Sequence, residues 1–271
     1  SVTLGGVEDT IDADETKSDR LNVRPAPSHP KVQLNYGNVF DDFRKEVVGY
    51  SPDLIALSTT EDMFHLGIEL LRKVDDLNIL TIAGGVFPTF APKRVLSFSQ
   101  IDIVCKGEGE VALTELCQRL SAGTDYTDIN NLCFRNRDGS ITINPTKMVN
   151  MDANPLIDVG LFEEARFYRP MGGTVYRMFP VETHRGCPYK CAFCNSPSQM
   201  KMYKEEQGQS YLRRKSFEKM REELLFYKNV MKAEFLYFWA DTFFSWTKSD
   251  LATFTELYKE IDLPFWCQTR P

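Results

Sequence analysis

The chain has 271 residues, 42% of them hydrophobic, and carries a formal net charge of −6. Its length allows one large domain or two ordinary ones, and its apolar content suffices for folded cores, which excludes a fibrous or disordered protein. The acidic balance argues against a general nucleic-acid or anionic-membrane surface. Small molecules or another protein are therefore the expected partners.

The sequence predicts a cytoplasmic protein without a membrane span. No apolar run reaches the roughly 18 residues that cross a bilayer, and the N-terminus lacks a basic segment followed by an apolar one. Four of the seven cysteines stand alone in apolar surroundings, where a reduced thiol behaves as a small core residue. These are Cys105, Cys117, Cys133 and Cys267.

Both ends of the chain look cut. It opens on Ser1 without an initiator Met, and residues 1–30 are polar and acidic, with Pro25, Pro27 and Pro30 near their end. This composition predicts irregular structure. We therefore expect a fragment whose first 30 residues form no compact element.

From residue 31 onward, buried strands alternate with helices. The apolar run at 53–58 suits a strand buried on both faces, and residues 63–74 repeat apolar positions with a helical period. This alternation predicts an α/β domain over residues 31–145 with a doubly wound parallel sheet of the flavodoxin kind. Its predicted strands are 31–35, 53–58, 79–83 and 101–105, its helices are 38–49, 63–74, 92–97 and 109–121, and a hairpin follows at 129–144.

Residues that directly follow the strands are where open sheets of this kind bind ligands. Glycine lets a ligand approach the backbone, and hydroxyl or amide groups can hold its polar edges. The same residue types also suit ordinary strand-to-helix turns, so both interpretations stay open on these grounds. The residues are Ser58, Thr59 and Thr60, then Gly84 and Gly85, then Gly107, Glu108 and Gly109.

Residues 146–178 are predicted to form an irregular linker between two domains. Its aromatic and basic side chains would line the domain interface; they are Phe167, Tyr168, Arg169, Tyr176 and Arg177. Beyond it, the patterns predict strands at 179–183, 234–240 and 264–269 and helices at 216–230 and 248–261. A polar stretch ends at a basic turn over residues 213–215, which is predicted to be solvated, with contact to a carboxylate or phosphate as the alternative.

Three cysteines fall within eight positions at Cys187, Cys191 and Cys194. Thiolates are soft ligands that suit iron-sulfur clusters or zinc, and most closed sites of either kind need four protein ligands. Three ligands on one tight loop leave one metal position open, where substrate chemistry can occur. The alternative is a structural zinc site in which His184 or Cys267 supplies the fourth ligand.

This motif, with Arg185-Gly186 and Pro188 around its first cysteine and Phe193 before its last, closely resembles the cluster loop of radical S-adenosylmethionine enzymes. The preceding domain resembles the cobalamin-binding domain found before the radical domain in one large subgroup. That second resemblance rests on Gly84-Gly85 followed by Pro88-Thr89, and on residues 107–110.

The resemblance implies a 4Fe-4S cluster on Cys187, Cys191 and Cys194, with S-adenosylmethionine on the fourth iron. It places Phe193 by the adenine, Asp241 at the amino group of S-adenosylmethionine, and cobalamin at the glycine-rich turns. Residues 179–271 would form the first part of a (β/α) partial barrel that stops at its third strand. The sequence lacks the Asp-x-His-x-x-Gly element by which some cobalamin proteins ligate cobalt, so histidine ligation is not expected.

The implied reaction is reductive cleavage of S-adenosylmethionine to a 5'-deoxyadenosyl radical. With cobalamin, this would serve methyl transfer or rearrangement on an unidentified small-molecule substrate, with electrons from a donor such as flavodoxin or ferredoxin. Two alternatives stay open at this point. One is a radical enzyme whose first domain no longer binds cobalamin, and the other is a non-catalytic zinc or iron-sulfur binding module.

Overall fold

The computed structural model describes residues 37–270. The predicted strand at 31–35 and the segment before it lie outside these residues. The first domain has helices α1 (Val39–Tyr50), α2 (Glu61–Arg72), α3 (Val86–Phe90), α4 (Pro92–Val95) and α5 (Glu110–Ala122), and strands β1 (Leu54–Ser58), β2 (Leu80–Gly84), β3 (Ile103–Cys105), β4 (Leu132–Arg135) and β5 (Ile141–Ile143).

The strands of the first domain form one five-stranded sheet in the order β1-β2-β3-β4-β5. The first three run parallel, and the hairpin β4-β5 adds two antiparallel strands at the edge. Alternate residues feed two separate cores: Ala83 and Val104 pack on the side of α2 and α4, while Ile82 and Ile103 pack on the side of α5. The predicted doubly wound α/β sheet is thus confirmed for the described strands.

Two details of the first domain were not predicted. The short helix α3 follows β2 directly, and one side of α5 is more exposed than its apolar sequence indicates. Ala112 and Leu116 are the buried residues of α5, whereas Val111 and Cys117 are exposed. The prediction of a core thiol is therefore wrong for Cys117, because its side chain faces away from the sheet.

The thiols of Cys105 and Cys133 do lie in the core. Burial raises the pKa of Cys105 to about 12 and that of Cys133 to about 11. Both groups therefore remain protonated thiols that pack as small apolar side chains. They belong to the first domain's sheet and stand apart from the cysteine motif.

The second domain has strands β6 (Tyr168–Met171), β7 (Thr174–Val181), β8 (His184–Arg185), β9 (Arg213–Arg214), β10 (Phe235–Phe238) and β11 (Phe265–Cys267), and helices α6 (Ser196–Gln207), α7 (Phe217–Leu225) and α8 (Lys248–Ile261). Strands β7, β10 and β11 are parallel neighbours, and α7 and α8 connect them in turn. Strand-helix alternation around a parallel sheet is the pattern of a (β/α) barrel, and three of its strands are present among the described residues.

Capping residues explain where the connecting helices begin. The side chain of Ser216 accepts a hydrogen bond from the Lys219 backbone N–H, and that of Thr247 accepts one from Asp250. Met220, Leu224 and Phe254 then bury against Leu236 and Phe238 of the central strand. Each such fully buried side chain contributes roughly 1.5 to 3 kcal/mol relative to exposure.

The irregular linker prediction is partly wrong. Residues 168–181 form the antiparallel hairpin β6-β7, so the first barrel strand begins at Thr174 and not at Phe179. The linker aromatics do not line the domain interface: Phe167 stacks on Phe179 at 4.9 Å, Tyr176 lies against Phe235, and Arg177 covers Phe167. They complete the second domain's own core.

The segment after the cysteine motif also differs from the prediction. A 12-residue helix, α6, occupies part of the stretch interpreted as merely polar, and it ends at Gly208 in the left-handed region. Its few buried side chains, chiefly Tyr203, give little helical periodicity, so the apolar pattern did not reveal it. Within residues 37–270, no helix is long and apolar enough to cross a membrane.

Candidate active site

The cysteine loop, residues 186–195, leaves the carboxyl end of β7 through the short strand β8. The Trp239 backbone N–H donates to the Val181 carbonyl at 2.7 Å, so the ends of β7 and β10 lie side by side. Gly186 opens the loop with a φ of 92°, and a Cβ atom there would lie 2.9 Å from the Cα of Leu212. Glycine is required because both the backbone angle and the neighbouring chain exclude a side chain.

Each thiol of the loop faces an N–H donor. Such donors stabilise a thiolate, which is the form of cysteine that binds metals. The pairs are the Tyr189 backbone N–H with Cys187, the Arg270 guanidinium with Cys191 at 3.4 Å, and the Ser196 backbone N–H with Cys194 at 3.4 Å. All three cysteines are free and partly exposed, so the donor set fits an iron-sulfur cluster.

Cys187 lies near the other two cysteines and near Asp241. Burial raises the pKa of the Cys187 thiol, and the negative charges of Asp241, Cys194 and Cys191 raise it further. A positively charged metal centre would remove this repulsion. Within residues 37–270, no three His, Cys, Asp or Glu side chains converge as ligands of a single metal ion.

His184 is not available as a fourth ligand of a zinc site. Its Nδ1 lies 3.0 Å from the Thr183 hydroxyl, and its Nε2 lies 3.0 Å from the Thr242 carbonyl and 2.9 Å from the Ser245 hydroxyl. A carbonyl only accepts, so Nε2 carries the proton and Nδ1 accepts from Thr183. The other candidate, Cys267, packs against the second domain's core.

The bonds of His184 join the segment before the cysteine loop to the segment after β10, and we expect this link to weaken in acid. Burial lowers the pKa of His184, despite opposing contributions from the Thr242 carbonyl and the charges of Asp241 and Glu182. The unfolded chain therefore takes up the proton first, below pH about 6.5, and stability falls through that window by at most about 1.4 kcal/mol per pH unit.

Urea unfolding of the protein and of a His184→Gln variant at pH 7.5 and pH 5.5 would measure this effect. Other groups titrate in both proteins, so the difference between the two isolates the histidine. The wild type should lose more stability on acidification than the variant. Equal losses would contradict the assignment of a neutral, buried imidazole.

The two residues predicted to contact S-adenosylmethionine occupy different settings. Asp241 is exposed at the carboxyl end of β10 and is close enough to Cys187 to raise the pKa of its thiol. Phe193 projects from the loop with 94% of its surface exposed. The structure thus places Asp241 beside the cysteines, whereas Phe193 makes no packing contact that fixes its ring.

The first two predicted turns of the α/β domain, after β1 and after β2, lie side by side at the carboxyl ends of these strands. The Thr59 backbone N–H donates to the Gly84 carbonyl at 3.0 Å, and Thr89 Oγ1 donates to the Gly85 carbonyl at 2.7 Å. Gly85 has a φ of 103°, and a Cβ atom there would lie 2.6 Å from the Thr59 carbonyl oxygen. Ser58 and Thr60 are exposed beside these glycines, as a ligand-binding edge requires.

The third turn, after β3, is covered by the second domain. A Cβ atom on Gly107 would overlap the Tyr203 hydroxyl, and the Glu108 backbone N–H donates to that hydroxyl at 3.1 Å. The Glu108 carboxylate pairs with Arg185 at 2.9 Å and with Arg213. The structure therefore places Gly107 and Glu108 at a domain contact, with Glu108 buried, while Gly107 and Gly109 stay partly exposed.

The basic turn at residues 213–215 is solvated only at Arg214, and all three side chains contact carboxylates, as the alternative prediction has it. Arg213 pairs with Glu108, Arg214 with Asp250 at 3.3 Å, and Lys215 with Glu223 at 2.8 Å in a buried setting. The sequence did not identify Arg185, Arg213 or Tyr203 as domain contacts. The position of Glu108 within a glycine turn could have indicated a buried carboxylate. Its partners Arg185 and Arg213, however, lie 77 and 105 residues further along the chain.

Comparison with known proteins agrees with this geometry. Residues 21–117 match the family model described as the B12 binding domain. The matched segment ends within α5 and includes the three turns that follow β1, β2 and β3.

Curated relatives extend the similarity beyond that domain. The chain is 27% identical over 165 residues to an uncharacterized methyltransferase of Pyrococcus horikoshii, covering 59% of this chain and 35% of that protein. It is 31% identical over 154 residues to the cobalamin-dependent radical SAM methyltransferase TokK of Streptomyces tokunonensis, covering 53% of this chain and 22% of that protein. The chain thus spans about a third or less of the length of these relatives.

A solved structure shows the same fold. The apo form of the cobalamin-dependent S-adenosylmethionine radical enzyme OxsB superposes with a TM-score of 0.64 at 20% identity, covering 85% of this chain and 32% of that one. The superposition extends well beyond the residues matched by the B12 binding domain. An α/β domain followed by barrel strands is therefore the architecture of this chain.

Proposed function

Since the chain contains a B12 binding domain and is a partial-length homologue of cobalamin-dependent radical S-adenosylmethionine methyltransferases, we propose that it belongs to an enzyme of this chemistry. The enzyme binds a 4Fe-4S cluster, S-adenosylmethionine and cobalamin. It acts on a small-molecule substrate by methyl transfer or rearrangement and takes electrons from a donor such as flavodoxin or ferredoxin. The observation that carries the proposal is the set of three donor-supported cysteines at the carboxyl end of the first barrel strand.

Residues of the loop and its neighbours would hold the cluster and S-adenosylmethionine. Cys187, Cys191 and Cys194 ligate three irons, and the N–H groups around them stabilise their thiolate form. Asp241, next to Cys187, accepts hydrogen bonds from the amino group of S-adenosylmethionine. Phe193, free of packing contacts, covers the adenine. The bound cluster supplies the electron for cleavage of the sulfonium, and cobalamin supplies the group-transfer chemistry.

The cobalamin site is proposed at the edge formed by the first two turns. Ser58 and Thr60 provide exposed hydroxyls, and Gly84 and Gly85 bring the backbone within reach of a ligand. Thr59 is buried and shapes the edge by its backbone bond to the neighbouring strand. Contact through Gly109 would extend this surface towards α5.

Anaerobic reconstitution of the full-length protein tests the proposal. We expect about four irons and four sulfides per chain, reductive cleavage of S-adenosylmethionine, and the visible absorption of bound cobalamin. Zinc without iron would reject the radical chemistry and favour a binding module. An active cluster without any cobalamin absorption would reject the cobalamin part and favour a radical enzyme whose first domain only packs or binds substrate.

A further inference from the structure

Glu108 lies at the centre of a charge network that joins the two domains. Only 4% of its side chain is exposed, and its carboxylate accepts hydrogen bonds from Arg213, from Arg185 at 2.9 Å and from the Val149 backbone N–H at 2.7 Å. Burial by itself would raise the pKa of Glu108, but the bonds from Arg213 and Arg185 outweigh it and hold the pKa below its usual range. The carboxylate is therefore ionised, and both of its oxygens accept hydrogen bonds from protein groups.

Arg185 carries this network to the cysteine loop. Its guanidinium also bonds Glu182 at 2.7 Å and pairs with Glu110, and only 17% of its side chain is exposed. It precedes Gly186, whose backbone angle and close neighbour allow little freedom, and Cys187 follows directly. The guanidinium thus ties the backbone two residues before Cys187 to the first domain.

The two acidic residues of the first domain that hold Arg185 lie in the turn after β3 and directly after that turn. Glu108 lies in that turn and Glu110 is the first residue of α5. Tyr203 of α6 packs against the same turn, and its hydroxyl accepts a hydrogen bond from the Glu108 backbone N–H. Both the entrance and the exit of the cysteine loop, at β8 and α6, therefore contact one turn of the α/β domain.

We propose that Glu108 is a positioning residue that couples the glycine turn of the B12 binding domain to the cysteine loop through Arg185, and that it does not itself bind cobalamin. This deepens the proposed function, on which the identities of the two cofactors rest. Protein groups take three of the roughly four acceptor sites of this carboxylate, and only 4% of its side chain is exposed, so a ligand amide has little access to it. Instead, it holds the cluster ligands in register with the cobalamin edge.

Hydrogen exchange on a Glu108→Gln variant of the full-length protein tests this coupling without added cofactors. Loss of the charge leaves Arg185 and Arg213 without their shared partner, so amides of residues 183–187 should exchange about tenfold faster or more. Glu206→Gln is the matched control. Glu206 also crosses the interface, to Lys106 and to Thr146 at 2.7 Å, but it has no hydrogen bond or ion pair with Arg185. The control should leave residues 183–187 within about twofold of wild type.

Two readouts on reconstituted protein separate positioning from ligand binding. The Glu108→Gln variant should keep its cobalamin affinity within about twofold, because the carboxylate does not touch the ligand. The electron paramagnetic resonance signal of its reduced cluster should broaden at unchanged iron content, because the loop adopts several positions. Should Glu108→Gln fold poorly, Arg213→Gln removes one cation, keeps the bond to Arg185, and should give a smaller increase in exchange.

Several outcomes would overturn the proposal. Unchanged exchange at residues 183–187, or an equal increase in Glu206→Gln, would show that Glu108 does not position the loop specifically. A loss of cobalamin affinity of about tenfold or more corresponds to roughly 1.4 kcal/mol. Such a loss, with unchanged hydrogen exchange at residues 183–187, would identify Glu108 as a direct cobalamin contact. Failure of the wild type to bind iron or cobalamin would count against the proposed function alone, because the exchange experiment uses neither.

Discussion

Replacement of Cys191 by alanine is expected to abolish cluster binding and S-adenosylmethionine cleavage. Two cysteines cannot replace the three-thiolate set, so iron should fall from about four per chain to below about one after anaerobic reconstitution. Cleavage, followed as formation of 5'-deoxyadenosine, should fall to the background rate, because binding and activation of S-adenosylmethionine depend on the cluster. Iron analysis and chromatography of the products measure the two effects.

Cys117→Ala is the matched control for this prediction. Cys117 is a free, exposed thiol on α5 that stands outside the cysteine loop. Its removal should leave both iron content and cleavage at wild-type values, which excludes a general effect of losing one thiol. Retention of about four irons in Cys191→Ala would refute the assignment of the cluster to this loop.

A single methyl group at Gly186 should have the second large effect. In Gly186→Ala the Cβ atom would lie 2.9 Å from the Cα of Leu212, and a backbone atom cannot move aside as the end of a flexible side chain can. The φ of 92° adds a conformational penalty for any L-residue. We expect a loss of about 2 to 4 kcal/mol in the free energy of unfolding, or displacement of the loop with loss of iron.

Gly208→Ala separates the two causes. Gly208 also has a positive φ, 68°, but nothing lies within 4 Å of the position that a Cβ atom would take there, so only the backbone penalty applies. That penalty is about 1 to 2 kcal/mol and is offset in part by the lower entropy of the unfolded alanine chain. Urea unfolding curves with iron analysis compare the variants. Equal destabilisation by the two substitutions would show that the contact with Leu212 is unimportant.

The domain contact gives these predictions a common structural basis. The loop that carries the cysteines begins at β8, where Arg185 pairs with Glu108, and continues into α6, where Tyr203 packs against Gly107. Tyr203 is fully buried and stacks on Tyr211 at 4.5 Å, so neither ring can move independently. A change at either end of the loop is therefore expected to reach the turn after β3.

The sequence alone was sufficient to predict the parts that depend on local patterns. The apolar runs that became β1 and β2 and the periodic segments that became α2 and α8 were identified because each pattern extends over several residues, although β1 is partly exposed and not buried on both faces as predicted. The cysteine motif predicted a metal site for the same reason, since its ligands lie within eight positions. Its resemblance to radical S-adenosylmethionine enzymes then supplied the family, which the comparisons support.

Features that depend on distant residues were decided only by the tertiary structure. The helix α6 has almost no apolar face, and the hairpin β6-β7 contains Pro170 and Pro180, so neither has a clear local signal. Glu108 was predicted as a ligand contact because it directly follows a parallel strand, in a turn that resembles those of cobalamin-binding domains, and this local pattern is the same whether the carboxylate meets a ligand or an arginine. Its two arginines follow it by 77 and 105 residues, and only folding brings these charges together.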